Sequence, residues 1–127
     1  MNSPSASVLT GMERLELELI VRDFTASLND GVSRDLIGFL HEDVVYKSSS
    51  KHVVRGRAHV LALLRDIRST FAVVEIRLEN VGIEGDVVVA EQHVDLALPG
   101  ALRQRIMGFA SYRFIDRQIV EWHQLHA

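Results

Sequence analysis

"VVEIRLENVGIEGDVVVAEQHVDLALPG", from Val73 to Gly100, is the stretch on which the fold turns. Two alternating, apolar-rich runs flank "EGD", a pattern that predicts an antiparallel hairpin. "PG" at the far end predicts a type II turn. In the second run Glu91, His93 and Asp95 fall at every second position, so they share one face of a strand. Ala90, Gln92, Val94, Leu96 and Leu98 share the other. Such alternation fits a solvated sheet face with an apolar core behind it, and it also fits the polar wall of a pocket. A polar group buried without partners costs roughly 2–7 kcal/mol, so the pocket reading requires polar partners from elsewhere in the chain.

Downstream, the meander continues through "LRQRIMGFASYRFI" (Leu102 to Ile115), a "DR" turn, and "QIVEWHQLH" (Gln118 to His126). Ile106, Gly108, Ala110, Tyr112 and Phe114 share a face, as do Trp122, Gln124 and His126. Small residues at the centre of a strand either leave room for a cavity or admit closer packing. Upstream, "GMERLELELIVRDFTASLNDG" places Leu17, Ile20, Val21, Phe24 and Leu28 on one helical stripe, ended by Gly31. A short helix is expected over "SRDLIGFLH" with Ser33 as its N-cap. "EDVVYKSS" reads as a strand, "SSKHVVRG" as a solvated loop that could gate a pocket mouth, and "RAHVLALLRDIRSTF" as a helix burying Val60, Leu64, Ile67 and Phe71. The order predicts an α+β domain: a curved, mostly antiparallel sheet forming a cone-shaped half-barrel closed by three helices.

At 127 residues the chain has the length of one domain, expected over 9–127 after a flexible tail at 1–8. The net charge of −3, with no basic run, argues against a nucleic-acid partner. The absence of cysteine excludes disulfide and thiolate chemistry and fits a cytoplasmic location. The start carries no apolar secretory core, and no run approaches the roughly 18 apolar residues of a membrane span. Six histidines invite a search for metal ligands, but no H-E-x-x-H motif is present, and His123 and His126 fall on opposite strand faces. Neither a glycine-rich phosphate loop nor a nucleophile elbow occurs. No cofactor and no metal are expected.

The run of "LNDG", "FLHEDVVYKS" and "RGRAHVLALL" resembles the nuclear-transport-factor-like superfamily with its SnoaL-like cyclases, most nearly the limonene-1,2-epoxide hydrolases. The resemblance covers about Leu15 to His126. Those hydrolases use Tyr-x-Asn, Arg-x-Asp and an Asp two residues after a Trp. Here "YKS" keeps Tyr46 and has Ser48 for Asn. "HVD" keeps Asp95 and has His93 for Arg. "WHQ" keeps Trp122 and has Gln124 for the second Asp. The resemblance implies that His93, Asp95, Trp122 and Gln124 point into a cavity, with Val94, Leu96 and Phe109 on the outer face of a homodimer.

On that basis Asp95 is expected as general acid, His93 as base or orienter, and Tyr46, with Gln124 and Ser48, as the group holding water or a substrate oxygen. Gln124, Ser48, Trp122, Ile106, Tyr112 and Phe24 are expected to bind a small apolar substrate in an epoxide-hydrolase-like or isomerase/cyclase-like reaction. The missing second acid makes a non-catalytic binding module the alternative, and a dimerisation domain with a filled core a third. A cavity of roughly 300 Å³ or more would argue against the last.

Overall fold

The computed structural model describes residues 10–32, 34–49 and 52–126, so the expected tail and the expected cap Ser33 lie outside the described residues. Helix α1 (Gly11–Asp30) opens with a reciprocal cap. The Thr10 hydroxyl accepts from the Glu13 N–H at 3.1 Å, and the Glu13 carboxylate accepts from the Thr10 N–H at 3.3 Å. Two N–H groups that the helix cannot pair are thereby satisfied. Val21, Phe24 and Leu28 are buried as the stripe predicts, with Leu17 and Ile20 half-buried beside them. Helix α2 (Asp35–Phe39) is shorter than expected, because Leu40 is already extended and begins a strand. Helix α3 (Arg57–Thr70) buries Val60 and Leu61.

Six strands form one sheet: β1 (Leu40–Ser49), β2 (His52–Arg55), β3 (Val73–Glu84), β4 (Val87–Ala97), β5 (Gln104–Ile115) and β6 (Gln118–His126). Their order is β2-β1-β6-β5-β4-β3. Every pairing is antiparallel except β1 with β6. The expected α+β architecture is therefore present, as a curved sheet with three helices that does not close into a barrel.

The stretch expected as a loop differs. His52 to Arg55 form an edge strand on β1, with Val54 opposite Tyr46. Val53 and Val54 favour extended backbone, and the polar flanks that read as a loop suit the exposed edge of a sheet. Elsewhere the turn chemistry holds. Gly100 has φ 77° behind Pro99, and the Ala101 N–H donates to the Leu98 carbonyl at 3.0 Å, the type II arrangement. Asp116 and Arg117 both have positive φ, at 50° and 65°, as a two-residue hairpin requires.

Val88 and Ala90 of β4, Ala110 and Tyr112 of β5, and Ile119 and Trp122 of β6 meet Val21, Phe24 and Leu36 in the core. This is the concave face. Trp122 is the hub of its aromatic cluster, with Tyr46 and Phe24 edge-on at centroid distances of 4.6 and 5.0 Å. Burying these rings contributes several kcal/mol to the fold.

Candidate functional site

Beside this core the concave face opens into a cavity of about 190 Å³ between the C-terminal ends of α1 and α3 and the sheet. Leu28 and Val32, then Leu64, Ile67 and Phe71, then Val74, Ile76, Val94 and Leu96 make most of its wall. The cavity is smaller than the roughly 300 Å³ of drug-sized pockets. A dry cavity of about 150 Å³ is known to hold benzene, so this volume suits a single ring.

Two side chains hold the walls in place. The Asn29 amide donates to the Ile76 carbonyl and accepts from the Ile76 N–H, both at 2.8 Å. The Arg68 guanidinium donates to the carbonyls of Leu28 and Asn29 at 2.6 Å each and of Val74 at 3.4 Å. Arg68, the only arginine or lysine among the described residues of the wall, is thus occupied with helix-end and strand carbonyls.

The polar end is built from β1 and β6, whose pairing sets Tyr46 opposite Trp122. The buried Tyr46 hydroxyl donates to the Gln124 Oε1 at 2.8 Å. Burial pushes the Tyr46 phenol up to about 12, so it remains a proton-bearing donor near neutral pH. Because its oxygen takes the tyrosine proton, Gln124 has its NH₂ left to donate. His126, two residues on, also lines the cavity while remaining exposed overall, and partial desolvation lowers its pKa. Among the described residues that line it there is no carboxylate.

Residues 21–122 match the SnoaL-like domain family. The chain belongs to the SnoaL-like family. Its fold is shared by an epoxide hydrolase of M. tuberculosis described as LEH-like, at 23% identity and TM-score 0.79, over 91% of this chain and 85% of that one. A candidate SnoaL-like polyketide cyclase from Jannaschia sp. CCS1 aligns at 16% identity and TM-score 0.78, over 99% and 91%. Bal32a, from a soil-derived mobile gene cassette, aligns at 16% identity and TM-score 0.79, over 90% and 91%. No curated protein matches in sequence.

In this SnoaL-like chain Tyr46, Trp122 and Gln124 come together as expected, and all three line the cavity. His93 and Asp95 do not join them. Their neighbours Val94 and Leu96 line the cavity, so alternation sends His93 and Asp95 to the convex face, together with Phe109. Asp95 is only 1% exposed there, because arginines cover it. Arg105 approaches its two oxygens at 2.9 and 3.3 Å, and Arg103 lies at 3.6 Å. The hydrogen bond from Arg105 holds the Asp95 carboxyl below the usual range, against a smaller opposing effect of burial. His93 Nδ1 lies 2.5 Å from Glu79 Oε1.

The expected orientation of β4 is corrected by one residue, for two physical reasons. Burying Val88, Ala90 and Val94 under helices removes apolar area from water. The charge of Asp95 requires cations, and β5 offers Arg105 directly opposite it on the convex side. The remaining expected residues are near the cavity without lining it. Phe24 and Tyr112 are fully buried in the core, Ile106 is half-buried on the concave face opposite Val94, and Ser48 is half-buried at an irregularity of β1. The same strand parity that finds Trp122 and Gln124 includes His126, a signal present in the sequence. Leu64, Ile67 and Phe71 were legible as an apolar stripe, but they face the cavity instead of a filled core.

Proposed function

We propose that this protein binds a small, uncharged, mainly apolar molecule in the cavity and turns it over by hydrolase-like or isomerase/cyclase-like acid–base chemistry. One observation carries the reading: an apolar cavity of about 190 Å³ ends in the Tyr46–Gln124 hydrogen bond. Gln124 there offers a donor to a carbonyl, ether or epoxide oxygen, and the apolar wall accepts a single ring. Among the described residues of the wall a charged ligand would find no free counter-charge, since Arg68 already holds three carbonyls. His126 is the lining group whose ordinary pKa is nearest neutrality, which suits it to proton transfer. The two-acid arrangement of the hydrolases is not part of this proposal, because β4 and β6 turn Gln92, Val94 and Gln124 inward.

Trp122 is the only tryptophan and lines the cavity, so its emission reports occupancy. Titration with cyclohexanone and cyclohexene oxide is expected to shift that emission, and Gln124→Leu to weaken binding about tenfold. No response to either ring would overturn the reading. Mass spectrometry of the bound panel separates turnover from binding alone. The lack of a carboxylate among the described residues of the wall favours binding without turnover as the second reading, and unchanged ligands would decide for it.

The convex face supports a homodimer. Phe109 and Leu125 pair in register and are each 53% exposed, and Met107 adjoins them at 52%. Arg113 with Glu121 and the Asp95–Arg105 pair put both signs of charge at their rim. An apolar centre with a mixed rim is self-complementary about a two-fold axis.

A further inference from the structure

Gln92, Gly108 and His126 stand in one cross-strand row, Gln92 on β4 opposite Gly108 on β5 and Gly108 opposite His126 on β6. The glycine makes the row possible. A Cβ at 108 would run into the Leu125 carbonyl and stand 2.6 Å from the His126 ring carbon Cδ2. With no side chain there, β6 approaches closely, the imidazole lies over the glycine, and Gln92 reaches it from the far side. The Gln92 Nε2 is 3.3 Å from His126 Nε2.

Gln92 is fully buried between Ala90 and Val94, and its Oε1 has no partner among the described residues. An amide in such surroundings is costly unless it is engaged. Its engagement is the ring. When the amide N–H donates to Nε2, the ring proton sits on Nδ1, which becomes a donor. We propose that His126, oriented by Gln92 across Gly108, is a second hydrogen-bonding subsite of the cavity, and that the ligand is an uncharged ring with two acceptor oxygens at opposite ends.

The inference rests on the cavity reading above and adds the second oxygen. Gln124 and His126 are same-face neighbours on β6, so their backbones are roughly 6.5–7 Å apart. That spacing is of the order of the span of a six-membered ring with two oxygens, to which the Gln124 amide would donate at one and the His126 ring at the other. Of the other polar groups on the wall, Tyr46 is committed to Gln124, Asn29 to Ile76 and Arg68 to three carbonyls, while the buried Trp122 Nε1 has no hydrogen-bond partner among the described residues. Among the described residues, Arg68 is the one charged residue lining the cavity with His126. Desolvation favours the neutral ring there.

The test compares cyclohexanone with 1,4-cyclohexanedione on the full chain, read by Trp122 emission. Cyclohexanone measures the cavity reading alone. The dione is expected to bind about three- to tenfold tighter in the wild type, the value of one added hydrogen bond. His126→Phe is expected to erase that ratio, since it removes the second donor. Gln92→Leu is expected to reduce the ratio, and in ¹⁵N spectra of the ring to move the proton from Nδ1 towards Nε2. A merely structural Gln92 would not shift the tautomer. A wild-type ratio of one, or a ratio that survives His126→Phe, overturns the subsite. Failure of both ketones to bind overturns the cavity reading, and the subsite with it.

Discussion

At the scale of single residues, environment decides what each ionisable group can do. Tyr46 and Tyr112 are the only tyrosines, and burial raises both phenols, Tyr46 to about 12. A phenol raised above its ordinary value near 10 stabilises the fold fully below that pH and loses its contribution as pH rises through the folded value. For Tyr46 the difference is worth about 2–3 kcal/mol. Phenolate absorbance is therefore expected to stay absent at pH 10 and to appear only as the fold opens. Ionisation of one tyrosine at pH 10 in the folded chain would contradict the buried Tyr46–Gln124 pair. Asp95 has the opposite sign. Its carboxyl is lowered by Arg105, so its stabilisation is complete above the ordinary carboxylate range and is lost as pH falls through the lowered value. Asp95→Asn is expected to lower stability by a constant amount near neutrality, with the gap to wild type closing below about pH 4. Ligand binding read at Trp122 should be unchanged, since Asp95 lies on the other side of the sheet. A variant that is equally stable and has lost its ligand would place Asp95 in the cavity after all.

At the scale of elements, the cavity persists because the ends of α1 and α3 are fixed to β3. Arg68 supplies the cap that α1 lacks in its own last turn, where no basic residue occurs. Its guanidinium answers carbonyls that the helix leaves open and that its dipole makes negative. Arg68→Met is expected to cost about 1.5–3 kcal/mol in urea denaturation, the value of hydrogen bonds to a charged group. It should also widen the cavity mouth, seen as a greater acrylamide quenching of Trp122. A loss under about 0.5 kcal/mol would mean that Asn29 alone holds the contact. The edge strand β2 shows the same dependence on neighbours. Four residues with two valines form no stable strand by themselves, and β1 supplies the pairing.

At the scale of the whole molecule, one curved sheet presents two faces with different tasks. The concave face carries the core and the cavity. The convex face carries charge ladders and the half-exposed Phe109, Leu125 and Met107. Sedimentation is expected to show a dimer at micromolar concentration, and Phe109→Glu a monomer with unaltered circular dichroism. A wild type that sediments as a monomer across the range would remove the proposed interface. Cavity binding would stand, because no lining residue belongs to that patch.

The sequence by itself determined the α+β order, the four-strand meander, the turns at Gly85, Gly100 and Asp116–Arg117, and the shared face of Trp122, Gln124 and His126. These follow from local sterics and from a strand period of two, which are properties of neighbouring residues. Only the tertiary structure decided which face of β4 turns inward. Period two separates Gln92 and Val94 from His93 and Asp95, but it is symmetric between the faces, and both sets become buried, one on the helix side and the other with Asp95 against arginines and His93 against Glu79. The direction is set by partners distant in sequence: α1 and α3 on one side, Arg103 and Arg105 on the other. For the same reason the meeting of Gln92 and His126 over Gly108 could not be read in advance, since it depends on the registers of two strand pairs at once.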